Sequence, residues 1–220
     1  MTLEALGAFA LLCFSSLLAL LNPLSVAPIF LSLTAGWPRE HQMRTLRTAI
    51  FTGAVVLVVF ALLGGTLFRL FGITLEAFRV AGGILLFGIG TDMLQAKQSR
   101  VKATPEEEAE ALHKDEVAIT PLGVPLIVGP GSITTVMVLM GSASTRTHVA
   151  VLFATIAITL AIVYGALAAA PRLVTYFGQT GLNVVTRIMG LLLTVIGVQF
   201  IIDGARPILV SILRAGGAGS

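Results

Sequence analysis

Six stretches of this chain stay apolar for the length of a bilayer crossing, and no other feature limits the fold as strongly. They run at about Leu6–Leu33, Leu46–Leu70, Phe78–Leu94, Val117–Met140, Val149–Ala170 and Val184–Ile202. A membrane-spanning helix needs about 20 mostly apolar residues. None of the six shows the period-two alternation of barrel strands, and each is too evenly apolar for a soluble amphipathic helix. Composition agrees: 56% of the residues are hydrophobic and 11% charged, against about 25% charged in ordinary soluble domains. The expected fold is all-α, a polytopic membrane protein of six transmembrane helices.

The first apolar stretch begins within "MTLEALGAFA", which has no basic residues, and it is longer than a signal-peptide core, so it reads as a span. Cys13, the single cysteine, has no internal disulfide partner and reads as a small apolar filler. Ten of the 25 formal charges fall in "KQSRVKATPEEEAEALHKDE", residues 97–116. This stretch divides the chain into residues 1–95, a charged cytoplasmic linker at 96–116, residues 117–210 and a flexible tail at 211–220. Placing the N-terminus outside puts nine Lys and Arg residues in cytoplasmic loops and five on the opposite side. The positive-inside bias therefore places both termini outside the cytoplasm. The net charge of +3 is a topology signal. No basic patch with interleaved aromatics points to nucleic acid.

Two prolines interrupt the first apolar run, in "PLSVAP" from Pro23 to Pro28, and the framework returns 102 residues later as "PLIVGP", Pro125 to Pro130. Other matches follow in the same order. "RVAGGILL" from Arg79 corresponds to "RIMGLLLT" from Arg187, offset by 108, and "LFRLFGIT" to "LVTYFGQT", offset by 106. Matches at nearly constant offset indicate an internal duplication. Each copy holds three spans, an odd number, so the second copy enters the membrane from the opposite side. The expected architecture is two inverted three-helix repeats, a plan shared by many secondary transporters.

Proline lacks an amide hydrogen and collides with the carbonyl four residues back. Pro23, Pro28, Pro125 and Pro130 would free the carbonyls of Ala19, Leu24, Pro121 and Leu126. Unwound backbone at membrane depth is tolerated only where it is buried in protein or lines a cavity. Broken helices one and four, facing each other, would thus frame a polar site. Asn22 and Ser25 flank Pro23, and Gly129, Gly131, Ser132 and Thr135 surround Pro130. The first turn of a helix resumed at Pro130 offers amides and a positive dipole end to a carboxylate. The candidate substrate-binding residues are Asn22, Pro23, Ser25, Pro28, Pro125, Gly129, Pro130, Gly131, Ser132 and Thr135.

"NPLSVAPIFLSLT", "FRVAGGILLFGIGTDML" and "TPLGVPLIVGPGSITTVM" resemble the MarC family of bacterial inner-membrane proteins. The resemblance covers the chain apart from the charged loop, and its Asn-Pro and Gly-Pro-Gly segments are the most specific parts. It implies a secondary transporter of small neutral amino acids, of glycine, alanine or serine size, coupled to protons or another ion. A non-transporting structural or regulatory protein, or an exporter of another small solute, is the alternative.

Asp92, in the third span, is the candidate coupling carboxylate, because an ionisable group inside a span usually marks function. Its competing role is an interfacial pair with Lys97. Little supports an enzyme: His41, His113 and His148 share no ligand spacing, and no His-Glu-x-x-His or phosphate loop occurs. No metal and no cofactor are expected. The glycines of "AGGILLFGIG" read as a helix-packing surface.

Overall fold

A computed structural model of the chain describes residues 3–95 and 118–217, so the charged linker expected at 96–116 lies outside the described residues. These residues are helical and include no strand. The elements are α1 Leu3–Leu21, α2 Pro23–Leu33, α3 Arg39–Phe71, α4 Leu75–Leu94, a π-wound α5 Ala118–Ile127, α6 Pro130–Ser142, α7 Arg146–Ala168 and α8 Ala170–Gly217. Among the described residues, five stretches are long and apolar enough to cross a membrane: Glu4–Leu33, Arg39–Phe71, Leu75–Leu94, Arg146–Ala168 and Thr180–Val210. The fourth apolar run of the sequence forms two shorter helices instead, α5 and α6. α8 continues to Gly217, through most of the segment expected as a tail.

Local chemistry explains where the helices end. Gly72 takes a left-handed conformation (φ 64°) after α3, and the Ile73 amide bonds the Phe68 carbonyl at 2.9 Å. This is a glycine C-cap, and Thr74 then caps α4 by accepting the Ala77 amide at 3.2 Å. Next to this turn the Phe68 and Phe78 rings meet, with centroids 4.6 Å apart. Thr145 caps α7 in the same way. Gly178 (φ 59°, ψ 176°) interrupts α8, so its apolar span starts afresh at Thr180.

α4 and α8 form the most extensive helix pair. A Cβ added at Gly83 would lie 2.5 Å from the Gly197 carbonyl oxygen, and one at Gly197 would lie 2.7 Å from the Gly83 carbonyl oxygen. Gly90 and Gly190 stand in the same relation, each 2.8 Å from the other's carbonyl oxygen, and Gly204 meets the Glu76 carbonyl at 2.6 Å. As the residue number rises along α4 it falls along α8, so the helices are antiparallel and touch backbone to backbone. Only glycine fits at these crossings.

α6 is packed between α4, which it opposes, and α3, which it follows. Gly82 faces Thr134 and Val138, and Gly141 faces Leu75, whereas Gly53 faces Val128 and Gly64 faces Met137. The outer faces are apolar. On α8 the exposed Val184, Ile188, Leu191, Val195, Val198 and Ile202 recur every three to four residues, and Phe51, Val55, Val59 and Leu62 do the same on α3. Stripes this long would aggregate in water and are solvated by lipid.

Candidate functional site

The first span breaks at Asn22. Proline disfavours the α conformation in the residue before it, and Asn22 responds by adopting φ 34°, ψ 72°. Among the described residues it is the only non-glycine at positive φ, a region that Asn tolerates far better than branched residues. Its amide still bonds the Leu18 carbonyl at 3.0 Å, ending α1, and its carbonyl receives the amides of Ser25 and Val26 at 3.1 and 3.3 Å, starting α2. Pro23 brings no amide to the Ala19 carbonyl, and Ser25 has turned its own away from Leu21.

Asn22 is 2% exposed, and its side chain caps nothing. Instead Nδ2 donates to Ser25 Oγ at 2.7 Å, and Ser25 Oγ lies 2.7 Å from Thr186 Oγ1 on α8. Thr186 Oγ1 in turn donates to the Leu182 carbonyl at 2.9 Å. Each hydroxyl has one hydrogen, so the chain runs in one direction, from Asn22 through Ser25 and Thr186 to Leu182. It ties the first break to the last long helix.

The second break lies at Val128 and Gly129. α5 is π-wound, with the Val128 amide reaching back five residues to the Gly123 carbonyl at 3.0 Å. Its sequence holds Pro121 and Pro125, and proline interrupts the bonding of a regular α-helix. Gly129 is extended (φ −95°, ψ 175°), and Pro130 opens α6 at its first position, where a missing amide costs nothing. The Gly129 carbonyl gathers the Ser132 amide at 3.1 Å, the Ile133 amide at 3.2 Å and the Ser132 hydroxyl at 2.8 Å. Gly131 is therefore the first-turn amide that this cluster does not use.

The breaks are neighbours. A Cβ added at Gly131 would lie 3.0 Å from Leu20 Cδ2, and 2.7 Å from Ile89 Cδ1 on α4. Leu20 precedes the first break by two residues, and Gly131 follows the second by two. Asn22, Pro23 and Ser25 thus sit at one interruption, and Gly129, Pro130, Gly131 and Ser132 at the other. Thr135 is wholly buried one turn farther along α6. The remaining two candidate prolines lie within helices. Pro28 lies inside α2, and Pro125 lies inside α5; neither is at a break.

Asp92 is half-buried in the last turn of α4 and makes no ion pair among the described residues; Lys97, its expected partner, lies outside them. Asp203 accepts from Gln199 Nε2 at 2.8 Å. Arg79 Nη2 donates to Ser142 Oγ at 2.6 Å, which in turn donates to the Val138 carbonyl. This places a cation at the C-terminal end of α6, where the helix dipole favours it. Sequence reading missed Thr186 and Ser16.

A family model described as MarC family integral membrane protein matches residues 7–209. A UPF0056 membrane protein of Methanocaldococcus jannaschii is 38% identical over 202 residues, covering 92% of this chain and 98% of the relative. A UPF0056 membrane protein of Aquifex aeolicus is 39% identical, covering 94% and 97% of the two chains. A third, YhcE of Escherichia coli, is 36% identical, covering 91% and 94%. No solved structure matches. The relatives are named as membrane proteins without a stated cargo. The match spans both breaks and the glycine-lined pair of α4 and α8, and the chain belongs to the MarC family of integral membrane proteins.

Proposed function

We propose that the protein is a secondary transporter that carries small neutral amino acids across the inner (plasma) membrane by alternating access around the two helix breaks. The observation that carries this reading is the contact of two interrupted helices, Leu20 against Gly131, inside an otherwise apolar bundle. Interrupted helices expose backbone dipoles where hydrocarbon would penalise them, and such interruptions commonly form substrate sites in secondary transporters. The protein is not an enzyme in this reading. Its partners are the substrate, a coupling proton or other ion, and the bilayer.

The architecture we propose is two inverted three-helix repeats with six spans, the fourth formed by α5 and α6 together, and with both termini outside the cytoplasm. Two features support it. An offset of 107 turns Gly83 into Gly190 and Gly90 into Gly197, and it exchanges the two glycine contacts, as a two-fold axis between α4 and α8 requires. Gly72 and Gly178, offset by 106, both take positive φ where one helix ends and the next begins.

No cationic or anionic side chain lines the described breaks, so the site suits a zwitterion with a small uncharged side chain. Counterflow of labelled glycine in proteoliposomes tests the reading. Saturable exchange, competed by alanine and serine but not by lysine or aspartate, is the expected result. No exchange of any small neutral amino acid would overturn it. Repeating accumulation with Asp92→Asn between pH 5 and 8 tests coupling: exchange without accumulation assigns the proton to Asp92, and retained accumulation removes it from that role.

A further inference from the structure

Most buried hydroxyls in this bundle are satisfied within their own helix. Thr34, Thr155 and Thr159 donate to the carbonyl four residues back at 2.7 to 2.8 Å, and Ser132 donates to Gly129 at 2.8 Å. This back-bonding is how a helix hides Ser or Thr in an apolar interior. Ser16 Oγ and Thr135 Oγ1 differ. Both residues are 0% exposed, and neither hydroxyl makes a hydrogen bond. An unpaired buried hydroxyl costs about 1–3 kcal/mol.

The two are brought to one level by the same contact that joins the breaks. α1 and α2 run alongside α7 in the same direction: the Phe9 ring packs on His148 near the start of α7, and Arg39, just past α2, donates to the Ala168 carbonyl at its end. α6 runs with α3, whose Arg47 near its start reaches Tyr164 near the end of α7, so α6 opposes α7, and α1 and α6 are antiparallel. Ser16 is four residues before Leu20, and Thr135 is four after Gly131. Residues four apart share a helix face, so the Leu20–Gly131 contact sets Ser16 opposite Thr135 on the facing sides of the two interrupted helices.

We infer that Ser16 and Thr135 are the hydrogen-bond donors for the carboxylate of the transported amino acid, one turn deeper than the breaks themselves. The inference rests on the transport reading and assigns it a ligand end. Two unspent O–H donors call for an acceptor. The amides of the first turn of α6 that would otherwise fill this role are largely taken by the Gly129 carbonyl, which collects three donors. The zwitterion brings its own countercharge, so no Lys or Arg is required.

Purified protein in detergent tests this with glycine and glycinamide as probes, read as ligand-induced shifts in thermal stability at graded concentration. Wild type should be stabilised by glycine and not by glycinamide, which lacks the carboxylate. Ser16→Ala and Thr135→Val should each weaken glycine about 10- to 100-fold, the usual worth of a hydrogen bond to a charged group. Thr135→Ser, which keeps the hydroxyl, should restore most of it. Unchanged glycine affinity in both hydroxyl-free variants, or equal binding of glycinamide, would overturn the inference and leave the hydroxyls as ligands of a buried water only. If wild type binds glycine and the variants match it, this inference alone fails. If wild type binds no small amino acid, the transport reading fails with it.

Discussion

In "PLSVAP" the helix breaks before the first proline and runs on through the second; in "PLIVGP" it winds through the first and breaks before the second. The prolines are equally spaced, so the residue in front of each one decides. Asn22 can enter the left-handed region and turns the chain there, whereas Ala27, before Pro28, stays helical. In the second motif Val124 is β-branched, for which positive φ is costly, and the chain takes a π turn instead. Gly129 then gives way in an extended conformation. A proline weakens a helix, and its neighbour chooses whether the weakness becomes a break.

The largest effect is expected at Gly129, on function. Gly129→Val keeps an allowed backbone, since φ −95°, ψ 175° suits any residue, and overpacking should cost about 1–3 kcal/mol. Uptake in proteoliposomes should be lost while folded protein remains in the membrane. Normal transport by this variant would move the site away from the second break.

Asn22 comes next. Asn22→Ala places a Cβ residue at φ 34° without the tolerance of Asn and removes the donor to Ser25 Oγ, at an expected cost of about 2–4 kcal/mol. Asn22→Gly keeps the backbone and loses only the side-chain bond, so it should cost about half as much. Thermal unfolding of the two variants separates conformation from hydrogen bonding; equal losses would mean that the left-handed turn is not what Asn22 provides.

Pro28→Ala should act in the opposite direction. It returns an amide to the interior of α2 and should stabilise by about 1–3 kcal/mol, whereas Pro130→Ala, at a first helical position, should change stability by less than about 1 kcal/mol. Matching shifts at the two prolines would erase the distinction between the motifs. The smallest effect belongs to Thr186→Val. It removes one partner from the Asn22–Ser25–Thr186 chain and should cost about 1 kcal/mol, with little further loss when combined with Asn22→Gly.

Much of the fold was legible because hydropathy and proline spacing are local properties. The apolar runs, the two interruptions and the glycine surface of the third span all follow from them. The position of each break was not, because it depends on the conformation open to Asn22, Ala27, Val124 and Gly129. Hydropathy also fused α5 and α6 into one run, since a π turn followed by an extended glycine is as apolar as a continuous helix. Thr186 and Ser16 were hidden for another reason. In sequence, a Thr bonded across helices, like Thr186, looks the same as one bonded back to its own turn, like Thr159. Only the neighbouring helix distinguishes them.

The backbone contact between α4 and α8 limits how the two halves of the bundle can move. Its glycines recur every seven residues on each helix, at 83 and 90 and at 190 and 197. A slide of one helix along the other would drive a Cβ into a carbonyl until the glycines met again, about 10 Å away at 1.5 Å per residue. Lift-like translation between these helices is therefore blocked, while a change of crossing angle keeps glycine against backbone. The joint behaves as a pair of scissors riveted at its crossings: α4 and α8 can tilt against each other but cannot slide.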